Sequence, residues 1–262
     1  MYNPDITPEQ LCKLWDEEDL SKDKIFIGIP TAGQPKLQCI NSVLQLQKYL
    51  LKKNFAVIHK FYNTSMLSSN RWEIIAESLA SQADYTLWVD DDMLFPPKAF
   101  DHLYTAVKKG CEIVGCNYPT RGFPHYFTGR HRDRGDRVAT TLLPTGLVQV
   151  DFIGLGLCLM QTKMLEDLPY PMFRMDERYG EDAFFFDKMY ELKGVRPYIS
   201  HDASKHVGHI AEKIITYAEG RANDKTNLIL RQPTIEEMFG ELQHVDDFNE
   251  FDELKHIRVN KE

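Results

Sequence analysis

Apolar residues recur along this chain with two periods, and the places where the period changes outline its elements. Lys24 to Pro30 (KIFIGIP) is short and almost continuously apolar, the pattern of a strand covered on both faces, and Pro30 ends it. Gln38 to Lys53 then carries Ile40, Val43, Leu44, Leu46, Leu50 and Leu51 at helical spacing. Phe55 to Phe61 reads as a second strand. Arg71 to Ser81 reads as a helix opened by Arg71, with Trp72, Ile75, Ala76 and Leu79 on one face. Tyr85 to Val89 is a short apolar strand running directly into Asp90-Asp91-Asp92. Lys98 to Lys109 is helical and Gly110 caps it; Glu112 to Gly115 is another strand. Val148 to Met160 is an apolar stretch with Gly154 and Gly156 inside a strand. Glu181 to Lys193 is a helix ended by Gly194, and Val195 to Ser200 is the last strand.

This alternation predicts an α/β fold, a mostly parallel central sheet flanked by helices. Three segments fall outside it. At the start, Thr7 and Pro8 suit the cap and first position of a short helix, so residues 1–23 form an N-terminal helical extension to a main domain at 24–232. Within that domain Arg121 to Thr145 is polar and rich in Arg and Gly, a long loop or hairpin of the kind that usually carries function. Beyond Pro233 the chain becomes an acidic tail, 233–262.

Composition narrows the function classes. With 31 Lys+Arg against 39 Asp+Glu the formal charge is −8, which disfavours bulk binding of polyanions and leaves such binding to a local basic patch. No apolar run approaches the ~20 residues of a membrane helix, and the first residues lack the basic head and apolar core of a signal peptide. The 5 cysteines show no metal-type spacing. The expectation is a reduced, soluble, cytoplasmic protein.

The strongest chemical signal is Asp90-Asp91-Asp92 at the end of an apolar strand. Adjacent carboxylates repel by a few kcal/mol each at about surface dielectric, and a divalent cation is the usual compensation. The carboxyl end of a strand is also where ligands bind in open parallel sheets. Carboxylate oxygens suit Mg²⁺ or Mn²⁺, and a solvated acidic turn is the plain alternative. His201 to His209 (HDASKHVGH) adds imidazoles that favour Mn²⁺. An offset of three reverses the face of an extended segment, so His206 and His209 cannot easily serve one point. His209 is the candidate. Glu181 and Asp182 begin a helix, whose N-terminus keeps their carboxylates ionised. Arg71 could meet a phosphate, or pair simply with Glu73 or Asp84.

Taken together, Ile29-Pro30-Thr31, Ser69-Asn70-Arg71, Asp90-Asp91-Asp92, Phe152-Ile153-Gly154-Leu155-Gly156, Glu181-Asp182 and His209 resemble, in order and spacing, the motifs of GT-A fold glycosyltransferases of the broad family-2 type. The resemblance covers Lys24 to about Glu212. It implies the GT-A fold, a Rossmann-like nucleotide-diphospho-sugar transferase architecture. It further implies a nucleotide site that includes Pro30, Thr31, Ala32, Arg71, Asp90 and Asp91. Gly154, Gly156 and Glu181 would lie near donor sugar and acceptor. Asp92 and His209, with Asp90, would hold Mn²⁺ or Mg²⁺, and Asp182 would be the catalytic base of an inverting transfer from a nucleotide-diphosphate sugar, UDP-linked by preference. The second strand ends at His59 to Asn63 without the acidic residue that often reads the nucleobase.

Two other readings stay open: an inactive GT-A domain that only binds a nucleotide sugar or glycan, and a nucleotidyltransferase. Thr31-Ala32-Gly33-Gln34-Pro35-Lys36 is a poor phosphate loop for the latter. The acceptor is a glycan, a protein or a hydroxylated nucleic-acid base. Arg121 to Arg137 mixes Arg with Phe123, Tyr126 and Phe127, so that segment suits an anionic or nucleic-acid partner, or simply closes over the donor.

Overall fold

The computed structural model describes residues 23–121, 125–131, 145–175, 180–211 and 214–216. The expected N-terminal helix, most of the basic loop and the acidic tail lie outside the described residues. The order is β1 (Lys24–Thr31), α1 (Leu37–Lys52), β2 (Ala56–Asn63), α2 (Leu67–Ala80), β3 (Tyr85–Val89), β4 (Met93–Leu94), α3 (Pro97–Lys108), β5 (Ile113–Gly115), β6 (Leu147–Gln149), β7 (Leu157–Gln161) and a 3₁₀ turn (Thr162–Leu165). Then follow α4 (Glu181–Lys193), β8 (Tyr198–Ser200), α5 (His201–Ser204), β9 (Gly208–Ile210) and β10 (Ile214–Thr216).

Among the described residues, seven strands form one sheet in the order β2-β1-β3-β7-β5-β8-β6. β2, β1, β3, β5 and β8 run the same way, whereas β7 and β6 oppose their neighbours. The sheet is therefore mostly parallel, as the alternation implied. A second sheet, β10-β9-β4, stands at the carboxyl end of β3.

Strand alternation divides the core into two layers. Ile25, Ile27, Ile29, Leu87 and Val89 face α1 and α3, where Val43, Leu46, Phe100 and Leu103 meet them. Phe26, Trp88, Cys158 and Met160 face α2 and α4, against Ile74, Phe185, Phe186 and Met189. Gly28 matters here. A Cβ on it would lie 2.5 Å from Ile74, so glycine lets α2 pack close to β1.

Several expectations change. α2 starts at Leu67, four residues earlier than expected, which places Arg71 inside the helix and in the core. Leu44 and Leu51 share the helical spacing but are exposed; the buried stripe of α1 is Cys39, Ser42, Val43, Leu46 and Leu50. Val148 to Met160 is not one strand, because β6 and β7 are separated by a turn that contains Gly154 and Gly156. β8 is not the last strand. Cys111 and Cys116 flank the three-residue β5, and Cys39, Cys111, Cys116 and Cys158 are all buried and free.

Candidate functional site

The site forms where β1 and β3 end. Asp90 follows β3, and Met93 N–H donates to Asp90 O at 3.2 Å, closing the acidic triplet into a tight turn. The turn sends the chain into β4, which pairs antiparallel with β9 and sets Met93 opposite His209. Ile210 N–H locks onto Asp92 O at 2.7 Å. Two very short strands thus carry His209 from the far end of the domain to the triplet. Its Nε2 lies 3.3 Å from Asp92 Oδ1. Its Nδ1 lies 2.9 Å from the Pro119 carbonyl, which can only accept, so Nδ1 carries a proton and Nε2 is the nitrogen turned toward Asp92. His206 instead stacks on His102, with ring centroids 5.8 Å apart.

The triplet splits three ways. Asp92 pairs with His209 and with Arg121, whose Nη1 is 2.9 Å from Oδ2. Burial pushes the Asp92 carboxyl upward, but the His209 hydrogen bond, the His209 charge and Arg121 outweigh it and hold the group below its usual range. Asp91 turns back to β1: burial raises its pKa while hydrogen bonds from the Thr31 hydroxyl and the Ala32 N–H partly offset the rise. Asp91 O also accepts from Lys36 N at 2.9 Å. Pro30, Thr31 and Ala32 are in this way fixed at the mouth of the site.

Asp90 faces the other way, to Arg71 Nη2 at 3.2 Å. Arg71 is only 1% exposed, on the same face of α2 as Ile74, whose close approach over Gly28 carries it inward. The same Nη2 lies 3.1 Å from Asp182 Oδ1 and 3.6 Å from Glu181 Oε1. The expected partners Glu73 and Asp84 are not the ones it meets. Burial works against this guanidinium's charge, but Asp182, Asp90 and Glu181 raise its pKa above the ordinary value. Its Nε and Nη1 are buried without a hydrogen-bond partner.

Asp182 also accepts from Leu155 N–H, at 3.1 Å on Oδ2. The helix N-terminus was expected to keep it ionised at neutral pH. Burial wins instead: against Arg71, which lowers the pKa, burial with Asp90 and Glu181 pushes the group up to about 7. Asp90 is likewise raised, by burial first.

The Gly154–Gly156 turn is built around Tyr118, which the sequence reading did not single out. A Cβ on Gly154 or Gly156 would lie 2.2 or 2.4 Å from Tyr118 Oη. Gly156 N–H donates to that oxygen at 2.8 Å. Of the basic loop, Arg121 reaches Asp92, Arg130 lies over the Phe152 ring at 5.9 Å, and Phe127 is buried. Phe123 and Arg132 to Arg137 lie outside the described residues.

No protein-family model matches the sequence, and no curated protein matches it. Solved structures do. A197 from STIV is similar with a TM-score of 0.51 at 18% identity, over 80% of this chain and 98% of its own. GalNAc-T7, a GT-A glycosyltransferase solved with UDP, GalNAc and Mn²⁺, is similar with a TM-score of 0.50 at 12% identity, over 74% of this chain. The fold is GT-A-like. This chain spans only 45% of the length of GalNAc-T7. At such identities the likeness reaches the GT-A-like fold and no further. Among the described residues, no helix is long and apolar enough to cross a membrane.

The donor set can be tested for a metal on its own chemistry. No group of three or more His, Cys, Asp or Glu side chains able to hold a metal is assembled among the described residues. What converges is a pair, a carboxylate oxygen of Asp92 and the Nε2 nitrogen of His209. A carboxylate oxygen and a ring nitrogen at this distance attract through a shared proton or cation, and one carboxylate with one imidazole suits Mn²⁺ better than Mg²⁺. Such a pair fits an open site in which a diphosphate and water supply the remaining ligands.

Proposed function

We propose that the chain is a glycosyltransferase that moves a sugar from a nucleotide-diphosphate donor to an acceptor hydroxyl. The observation that carries this reading is the convergence of Asp92 and His209 at the mouth of a GT-A-like sheet, with Asp182 nearby in the same acid cluster. UDP-sugars are the favoured donors, because the similar GalNAc-T7 was solved with UDP and GalNAc.

Asp92 and His209 would hold Mn²⁺, or less well Mg²⁺, which when bound neutralises the diphosphate leaving group as a Lewis acid. Pro30, Thr31 and Ala32 line the nucleotide end, held in place by Asp91. Asp90 is the candidate contact to the ribose or to a metal-bound water. The turn of Gly154 and Gly156, seated on Tyr118, would border the donor sugar, and Asp182 is poised to take the acceptor proton. Its pKa of about 7 suits a general base at neutral pH, and in-line attack would invert the anomeric centre. Arg71 fits a different role from a diphosphate contact: buried among Asp90, Glu181 and Asp182, it serves as their counter-ion.

Titration calorimetry with UDP tests the reading. Binding should require Mn²⁺ in the wild type and disappear in Asp92→Ala. UDP binding that is indifferent to Mn²⁺ and to Asp92 would contradict it, and would favour a domain that binds nucleotide or glycan without turnover.

A further inference from the structure

Two halves of the site, Asp92 with His209 and Asp90 with Asp182, come from different parts of the fold, and Tyr118 meets the first directly and the second through one turn. Its ring meets the His209 imidazole edge-on, with centroids 5.4 Å apart and planes at 84°. The next residue, Pro119, supplies the carbonyl that fixes the His209 tautomer. The Tyr118 hydroxyl accepts from Gly156 N–H at 2.8 Å. That turn in turn holds the other half: Gly156 O accepts from Asp90 N–H at 3.0 Å, and Leu155 N–H donates to Asp182 Oδ2 at 3.1 Å.

The contact leaves little slack. Tyr118 is buried, and its phenol fills the space that a side chain at Gly154 or Gly156 would need. These glycines are thereby explained without a ligand, as the seat of the Tyr118 phenol. Packed groups of this kind do not deform gradually. A shift of the hydroxyl moves the turn, and the turn carries the Leu155 N–H that aims Asp182.

We infer that Tyr118 is a positioning residue that keeps the His209 side and the Asp182 side of the site in one register. The inference rests on the glycosyl-transfer reading above and adds a residue that touches neither donor nor acceptor. Its hydroxyl serves the Asp182 side, and its ring serves the His209 side. The two functions separate by mutation.

The experiment compares Tyr118→Phe with Tyr118→Leu, measuring Mn²⁺ affinity of the nucleotide-free protein by electron paramagnetic resonance, UDP-sugar turnover, and melting temperature. Phe keeps the ring and removes the hydroxyl. Mn²⁺ affinity should stay within about twofold and donor KM should hold, while kcat falls about tenfold or more, since a misplacement of about 1 Å costs up to ~10²-fold. Leu removes both, so Mn²⁺ affinity should also fall about tenfold, the range seen when a partner that orients a metal ligand is lost. A Tyr118→Phe protein that melts lower but keeps wild-type kcat overturns the inference and makes the contact merely structural. Equal loss of Mn²⁺ affinity in both variants overturns it as well. A wild type that neither binds Mn²⁺ nor turns over any UDP-sugar overturns the glycosyl-transfer reading itself and the inference with it.

Discussion

Replacing Asp182 with Asn separates what this carboxylate costs the fold from what it does in the site. Its pKa rises from 3.8 to about 7, a shift of about three units. At ~1.4 kcal/mol per unit, keeping it ionised costs at most about 4 kcal/mol. The side chain is 24% exposed, and water screens part of that penalty. Asn can keep its oxygen on Leu155 N–H but must turn its NH₂ toward Arg71, which retains Asp90 and Glu181. The expected net gain is about 1–2 kcal/mol above pH 7, or roughly 3–6 °C in melting temperature for a domain of this size. The sign follows from linkage. A carboxyl with a raised folded-state pKa adds most stability below pH ~4, where it is protonated in both states, and that contribution is lost as pH rises through about 7. Circular-dichroism melts at pH 4.5 and pH 8 should therefore show Asn stabilising at pH 8 and nearly neutral at pH 4.5. Turnover should drop ~10²- to 10⁴-fold with nucleotide affinity retained. Destabilisation at pH 8, or the same shift at both pH values, would refute the electrostatic reasoning.

Arg121→Gln removes the exposed guanidinium that competes for Asp92 Oδ2, so nucleotide-free Mn²⁺ affinity, followed by paramagnetic resonance, should rise about two- to fivefold; a fall would contradict the competition. His201 is fully buried, and burial lowers its pKa from 6.5 to about 4. The folded state resists the proton that the unfolded chain accepts, so stability should decline as pH falls from about 6.5 to about 4, by up to about 3 kcal/mol, and urea melts of His201→Leu should lose that part of the slope. Gly28→Ala should destabilise by about 1–3 kcal/mol in urea melts, because its Cβ would press on Ile74 at 2.5 Å. A neutral Gly28→Ala would mean that α2 can move away from β1.

The parts of the molecule that were legible in the sequence are those whose signal is local. β1, α1, β3, α3 and α4 are long or uniformly apolar enough for their period to show, and Gly194 ends α4 in the left-handed conformation, φ 69°, that its type suits. Asp92 and His209 were visible as residue types, but not the reason they meet. β4 and β9 are two and three residues long, below the length at which alternation is readable. Arg71 misled because its helix begins at Leu67, in a polar stretch with no periodic mark, and because its three carboxylate partners come from the turn after β3 and from α4. Tyr118 carries no signal of its own. It becomes visible only when the space over Gly154 and Gly156 is measured. Likewise the raised pKa of Asp182 follows from burial among other acids, which the helix start visible in the sequence does not reveal.

The most direct test of the central claim is hydrolysis of nucleotide sugars by the purified protein without acceptor, screened with Mn²⁺ and with excess chelator. The account predicts slow release of nucleoside diphosphate from one donor class, UDP-sugars first, that is abolished by chelator, restored by Mn²⁺ better than by Ca²⁺, and lost in Asp92→Ala. Release of nucleoside monophosphate with pyrophosphate would point to nucleotidyl transfer, and full activity in chelator would contradict the account outright.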